Sequence, residues 1–176
     1  MRAPILAVLA LAAAAPLAAC GFTPLYATPG VTGGLAGVAV DPPEHSRTGF
    51  LLSQKLDDEF GRKNGVEPTY RLGIAVREYR VPKGVRVNNV ANRYEIDLNA
   101  SFTLTDAATG RVLLTGSAPV QVSYDSADAP YAGVAAAADG EERAAEQAAV
   151  LIRLQVSRWL AANPRGAAAA AQAAAG

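Results

Sequence analysis

The stretch RYEIDLNASFTLTD, residues 93–106, decides the fold because apolar and polar side chains alternate along it without a break. A period of two is that of a β-strand, in which successive side chains point to opposite faces. The apolar face consists of Tyr94, Ile96, Leu98, Ala100, Phe102 and Leu104. The other face carries only charged, amide and hydroxyl side chains, so the sequence predicts a sheet that is covered on one side only.

Two further segments repeat this alternation on either side of the first. Their apolar faces are Tyr70, Leu72, Ile74 and Val76 in one, and Val112, Leu114, Ala118, Val120 and Val122 in the other. The segment DAATG at residues 106–110 predicts the turn between the last two strands. A shorter apolar run, LAGVAV at residues 35–40, predicts a buried strand that stops at Asp41-Pro42-Pro43.

Two other segments change to the helical period. In the first, Leu52, Leu56 and Phe60 recur every four residues after Ser46, which is a candidate N-cap, and Gly61 or Gly65 is a candidate stop.

The second helix is predicted from Asp139 to Asn163-Pro164, because Asp139 and Glu142 have the spacing of a capping box. Its apolar stripe is Ala145, Ala149, Ile152, Val156 and Trp159. The resulting order, β-α-β-β-β-α, predicts an α+β fold. We expect a two-layer sandwich with both helices on one face of a four-stranded mixed β-sheet.

The N-terminus has the pattern of a secretory signal peptide, with one basic residue, an apolar run and then small residues. Leu17-Ala18-Ala19-Cys20 resembles the bacterial lipobox, which implies cleavage before Cys20 and a diacylglycerol on its thiol. Gly21 resembles residues that direct sorting to the outer membrane. The plainer alternative is that Cys20, the only cysteine, is a small buried residue or an unused thiol.

These signals divide the chain into four parts. We expect a lipoprotein signal peptide at 1–19, a lipidated tether at 20–34, a periplasmic domain at 35–163 and a disordered Ala-rich tail at 164–176.

Composition argues against nucleic acid and against catalysis. The 16 basic and 16 acidic side chains cancel, so no global field attracts a polyanion. His45 is the only histidine and lies in a proline-flanked loop, and with Cys20 acylated no nucleophile and base pair remains. Cys or His pairs at metal-ligand spacing are also missing. The sequence therefore predicts a protein that is not an enzyme and that has no cofactor or metal.

One segment is locally basic. Between Tyr70 and Arg93 the only acid is Glu78, and the basic residues are Arg71, Arg77, Arg80, Lys83, Arg86 and Arg93. Two interpretations stay open. The charges protect an edge strand and loop from aggregation, or they bind the phosphates of a lipid headgroup, which guanidinium groups match bidentately.

The lipobox, the segment CGFTPLYA at residues 20–27, the spacing Arg47-x-Gly-x-x-Leu-x-x-x-Leu and the order of elements together resemble the LptE family of lipopolysaccharide-assembly lipoproteins, in particular its alphaproteobacterial branch. The resemblance implies a non-enzymatic plug inside an LptD-type outer-membrane β-barrel. The plug would help that barrel to assemble and would assist lipopolysaccharide transport to the cell surface. It would be lipid-anchored in the outer membrane and would face the periplasm or the barrel lumen.

The family also implies binding of lipopolysaccharide through basic side chains. The candidates by charge and position are Arg77, Arg80, Lys83, Arg86 and Arg93. The alternative function is a general lipid-anchored periplasmic scaffold or assembly factor for another envelope complex.

Overall fold

The computed structural model describes residues 30–43, 46–62, 65, 67–85, 91–126 and 130–173. The signal peptide, Cys20, His45 and Arg86 lie outside these residues. The elements of the described part are α1 (Val31–Ala36), β1 (Val38–Asp41), α2 (Arg47–Phe60), β2 (Tyr70–Val85), β3 (Ala91–Asp106), β4 (Val112–Asp125), α3 (Pro130–Ala162) and α4 (Pro164–Ala173).

The strands form one mixed sheet in the order β1-β2-β3-β4. β1 runs parallel to β2, and the other two pairs are antiparallel. Helices α2 and α3 pack on one face of the sheet. The predicted α+β sandwich is therefore confirmed.

The register of the sheet brings the predicted apolar faces together. Leu104 of β3 lies opposite Leu72 of β2 and opposite Leu114 of β4. Ile96 lies opposite Val122 in the same layer. The buried positions of β3 are the even-numbered ones from 96 to 104, as the alternation predicted. A shift of one residue would turn this whole set toward solvent, so burial holds the register.

Helix α2 begins and ends where its capping residues predict. The hydroxyl of Ser46 accepts a hydrogen bond from the Gly49 N–H at 3.0 Å, and Gly61 closes the helix in the left-handed conformation at φ 62. The predicted stripe of Leu52, Leu56 and Phe60 is buried against the core.

Helix α3 begins at Pro130, nine residues before the predicted start, so the prediction that Asp139 caps it was wrong. The segment from 131 to 138 is mostly alanine, the strongest helix former, and it extends the helix through the capping-box sequence. Asp139 instead accepts a bond from Arg143 one turn later, at 2.8 Å. The predicted end was correct, since the helix stops at Ala162 before Asn163-Pro164.

The apolar run at 35–40 is divided between two elements, which corrects the prediction of one strand there. Leu35 belongs to α1, and strand β1 begins only at Val38. Val31 and Leu35 are one helical turn apart, and both are buried, so α1 places them together on one apolar face. Residues 31–34, which were predicted as part of the tether, therefore belong to a helix.

The Ala-rich tail also differs from its prediction. Residues 164–173 form helix α4, with Pro164 at the first helical position, where a missing N–H costs nothing. Ala167 and Ala170 are fully buried, and α4 packs against α1. Alanine and glycine allow the two helix backbones to approach closely. The small residues that suggested disorder therefore form a packed interface.

Gly33→Val is expected to lower the free energy of unfolding by about 1–3 kcal/mol. A Cβ added at Gly33 would lie 2.5 Å from the Cβ of Ala171 and 3.0 Å from its Cα. In a chain truncated after Asn163 the same substitution should cost less, because Ala171 is gone. Urea unfolding of the four proteins measures this coupling. Equal costs in both backgrounds would contradict the packing of α4 on α1.

Candidate functional site

The face of the sheet opposite α2 and α3 is broad, flat and polar. It is formed by the odd-numbered residues of β2, β3 and β4, which alternate with the buried set. Its central side chains are Arg77, Tyr79, Asp97, Asn99, Ser101, Ser117, Pro119 and Gln121. We call these residues the open face.

A shallow depression of about 450 Å³ lies in the middle of the open face. Its lining includes Tyr79, Pro119 and the polar residues Asp97, Asn99 and Gln121. The Gln121 side-chain amide donates to the Asp97 carboxylate at 2.8 Å. Tyr79 is 67% exposed, which is unusual for a large aromatic side chain in a strand. The depression therefore offers an aromatic surface next to hydrogen-bonding groups.

Two candidate lipopolysaccharide-binding residues are neighbours near the β2–β3 hairpin, but both are already paired. Lys83 bonds to Glu95 at 2.8 Å, and Arg93 bonds to Asp125 at 2.8 Å. The hydrogen bond and the charge of Glu95 raise the pKa of Lys83. The hydrogen bond from Arg93 and the positive charge of Arg93 lower the pKa of Asp125. A ligand phosphate would have to compete with these carboxylates.

Arg80 lies on the other face of the sheet, under the helices. Its guanidinium bonds to Glu141 of α3 at 2.8 Å and lies 5.8 Å from the centre of the Tyr124 ring. Tyr124 stacks in turn on Tyr94, with ring centres 5.6 Å apart. Arg80 therefore helps to join α3 to the sheet, and the fold does not bring it together with Lys83 and Arg93.

Arg77 is the most available of the candidates within the described residues. It is exposed on the open face, and no carboxylate of the described part of the chain lies within ion-pair distance of it. It lies opposite Asn99 of β3, beside the depression.

Sequence reasoning missed the grouping of Tyr79, Asn99 and Gln121. Alternation placed these residues on the polar face, but only the register shows that they meet across three strands. The available signal was Tyr79 itself, a large aromatic residue on a face whose other residues are mostly polar.

The described residues contain no cluster of three His, Cys, Asp or Glu side chains that could hold a metal ion. Among the same residues, no helix combines the length and the apolar character needed to cross a bilayer. The arrangement as a whole is a wide polar surface suited to contact with another large polar surface.

Glu95→Gln is expected to bring the pKa of Lys83 back toward its ordinary value, because the partner that raises it loses its charge. The pair's contribution to stability is present below the unfolded-state pKa of lysine and is lost as pH rises through the higher folded-state pKa. An NMR titration of the Lys83 side chain measures the shift. Asp125→Asn is the control and should leave the pKa of Lys83 unchanged. Equal pKa values in wild type and Glu95→Gln would contradict the pairing.

Comparison with known proteins identifies the family. The family model LptE, described as lipopolysaccharide-assembly, matches residues 35–156. The chain belongs to the LptE family. This confirms the resemblance drawn from the lipobox, the CGFTPLYA segment and the order of elements, and it makes the chain a lipoprotein of lipopolysaccharide assembly.

Solved structures agree with the LptE assignment. A lipoprotein of Caulobacter crescentus CB15 is 42% identical and has a TM-score of 0.68, with 76% of this chain and 97% of that chain covered. This likeness agrees with the alphaproteobacterial type. Lipoprotein B of Nitrosomonas europaea is 15% identical, with a TM-score of 0.53 and coverage of 73% and 86%, and it shares the fold. No curated protein sequence matches the chain.

Proposed function

We propose that this protein is an outer-membrane lipoprotein that plugs an LptD-type β-barrel, helps that barrel to assemble and assists the passage of lipopolysaccharide to the cell surface. In this role the protein binds and positions, and it catalyses no reaction. The match to the LptE family over residues 35–156 carries the proposal.

The open face supports this role physically. The interior of an outer-membrane barrel is lined with polar side chains. A domain inside it needs a surface that stays hydrated or hydrogen-bonded to the wall, and the open face presents amide, hydroxyl and charged groups across three strands. β2 has 16 residues, about 50 Å at the rise of a strand, so the domain is long enough to contact a barrel wall along much of its height.

The anchor fits the same location. Acyl chains on Cys20 would contribute about 0.8 kcal/mol for each buried CH₂ group, and two or more chains hold a domain on a membrane stably. The described part of the chain begins at Gly30, ten residues after Cys20. At about 3.3–3.6 Å per residue, that segment reaches at most about 35 Å, which keeps the domain beside the membrane that contains the barrel.

Lipopolysaccharide contact is the finer part of the proposal. Arg77, Lys83 and Arg93 lie on the same side of the sheet as the open face, and Arg77 is exposed without an acidic partner in the described residues. We assign phosphate contact to these three side chains. Arg80 serves a structural role under α3, and Arg86 stays a candidate by charge alone.

Reversing charge at Arg77, Lys83 and Arg93 together is expected to weaken lipopolysaccharide binding about tenfold or more. Each lost charge-assisted contact is worth about 0.5–1 kcal/mol at an exposed site. Binding of the wild type should also weaken as salt rises from low to physiological concentration. Fluorescence titration with purified lipopolysaccharide measures both effects.

The control for this titration is Arg158→Glu, which changes an exposed cation on helix α3 instead. It should leave the affinity near that of wild type. If binding is indifferent to the triple reversal and to salt, the basic residues only protect the edge and hairpin from aggregation.

Depletion in cells tests the proposed function directly. Loss of the protein is expected to reduce both the lipopolysaccharide exposed at the cell surface and the amount of folded barrel in the outer membrane. Surface labelling measures the first, and the heat-modifiable mobility of the barrel measures the second. Re-expression of the wild type should restore both. Normal levels of both in depleted cells would contradict the proposal.

A further inference from the structure

Strand β2 is much longer than its neighbour β1. β1 pairs with β2 only between Tyr70 and Gly73. Two prolines, Pro42 and Pro43, follow β1, and proline has no N–H to continue the ladder. Between Gly73 and Val85, no strand of the described residues lies beside β2 on this side.

The direction of the backbone groups along this edge follows from the ladders. The Tyr70 N–H donates to the Gly37 carbonyl at 3.1 Å. The backbone N–H and C=O groups of the even-numbered residues of β2 therefore point toward the β1 side. The Ala107 N–H donates to the Thr69 carbonyl at 3.0 Å, so odd-numbered residues bond to β3. The N–H and C=O groups that face the edge therefore belong to Val76, Glu78 and Arg80.

These edge groups are not covered from within the described part of the chain. The Glu78 and Arg80 side chains contact Thr48 and Glu141 on the helix side of the sheet. No hydrogen bond among the described residues reaches the edge-facing backbone groups at these three positions. The edge ends at Pro82, which has no N–H, so it offers room for one short strand.

The opposite edge of the same sheet is protected at three of its outward-facing positions. Pro119 occupies an outward-facing position of β4 and has no N–H to offer. Gln155 of α3 donates to the Ser117 carbonyl at 2.9 Å, and Arg143 reaches the Ser123 carbonyl at 3.4 Å. Proteins protect long edges in such ways because an open edge templates pairing with another chain. Among the described residues, no such side-chain contact reaches the edge-facing backbone groups of β2 between Val76 and Arg80.

We propose that the edge of β2 at Val76, Glu78 and Arg80 binds an extended segment of the barrel partner as an added β-strand. Addition of a strand to a free edge is a general mode of peptide recognition, in which main-chain hydrogen bonds supply the affinity. This inference rests on the proposed function and names the surface by which the plug holds its barrel.

The chemistry of the partner segment follows from the surroundings of the edge. A closed barrel wall has no free strand edge, so the segment comes from a loop or a terminus of the barrel that enters the lumen. Arg77 lies on β2 between the edge positions and is exposed without an acidic partner in the described residues. An acidic side chain on the added strand opposite Arg77 completes this contact.

Amide hydrogen exchange measures directly whether the edge N–H groups of β2 are hydrogen-bonded. In the full-length protein alone, the amides of Val76, Glu78 and Arg80 should exchange faster than those of Arg77 and Tyr79, which bond to β3. In the complex with the barrel, purified in detergent after co-expression, the three edge amides should slow at least about tenfold. Equal rates in the free protein and in the complex would overturn the inference.

A proline substitution removes one edge N–H without touching the ladder to β3. Glu78→Pro should reduce recovery of the barrel complex about fivefold or more, the size expected for a lost backbone hydrogen bond. Glu78→Ala is the matched control, because it loses the same side chain but keeps the N–H. Equal recovery of the complex with both variants would overturn the inference. If Glu78→Pro fails to fold, the exchange rates of the wild-type complex decide.

The outcomes separate the two proposals. If the wild type does not purify with a barrel, the proposed function fails and the inference fails with it. If the wild-type complex forms but its edge amides stay fast, only the inference fails. A free protein that is itself a dimer with slow edge amides would mean that a second copy covers the edge, which also overturns it.

Discussion

Ile152→Asp is expected to unfold the domain or leave it close to unfolding. Ile152 is fully buried in the stripe of α3 that packs on the sheet. Removal of a large apolar side chain costs about 2–5 kcal/mol, and a buried carboxylate without a partner costs several more. A domain of this size has about 5–15 kcal/mol of stability in total, so the sum reaches most or all of it.

The matched control is Val150→Asp, two residues earlier on the same helix, where the side chain is 39% exposed. Both variants carry the same loss of helix propensity, so they differ chiefly in burial. Circular dichroism and urea unfolding measure the result. We expect a lost or sharply lowered transition for Ile152→Asp and a change of roughly 1 kcal/mol or less for Val150→Asp. Equal unfolding midpoints would contradict the position of α3 on the sheet.

Cys20→Ala is expected to abolish membrane attachment. The lipobox interpretation makes this thiol the attachment point of the diacylglycerol, and without it no acyl chain remains to partition into the bilayer. The variant should appear in the soluble periplasmic fraction at the mass of an unacylated chain. We expect the largest effect on location, because the substitution removes the thiol that carries the diacylglycerol.

Fractionation and intact mass measure the effect of Cys20→Ala. The control is Thr23→Ala, a change just after the lipobox that leaves the thiol in place. It should stay in the membrane fraction with the acylated mass. An unchanged distribution and an unshifted mass for Cys20→Ala would contradict the lipobox assignment.

The three long strands and helix α2 were predictable because the apolar residues of each segment repeat with the period of its own secondary structure. β3 alternates through its whole length, and burial then fixes its register against β2 and β4. The cap of α2 was also predictable, because Ser46 and Gly61 act through local backbone groups. In these segments the local signal and the tertiary packing favour the same structure.

The predictions were wrong where small residues leave the pattern weak. Alanine and glycine have little hydrophobic contrast, so neither the early start of α3 nor the packing of α4 on α1 produces a visible stripe. The capping box at Asp139 was locally plausible, but the four alanines at 135–138 continue the helix into it. The structure of these segments depends on contacts between residues distant in sequence, such as Gly33 and Ala171.

The candidate site was predictable in charge but not in arrangement. Arg77 and Arg80 are three residues apart, and strand geometry places them on opposite faces of the sheet. The carboxylates that neutralise Lys83 and Arg93 come from β3 and β4, so a count of charges between Tyr70 and Arg93 does not include their effect. The open edge of β2 follows from where β1 stops, which only the sheet topology shows.

The mass of the native complex is the most direct test of the proposed barrel partner. We expect that the protein, expressed from its own promoter and extracted in mild detergent, runs with one copy of a large outer-membrane barrel, so native mass spectrometry should give a one-to-one assembly. Recovery of the protein as a monomer free of any barrel, or bound instead to a different envelope protein, would mean that it is not the plug of such a barrel.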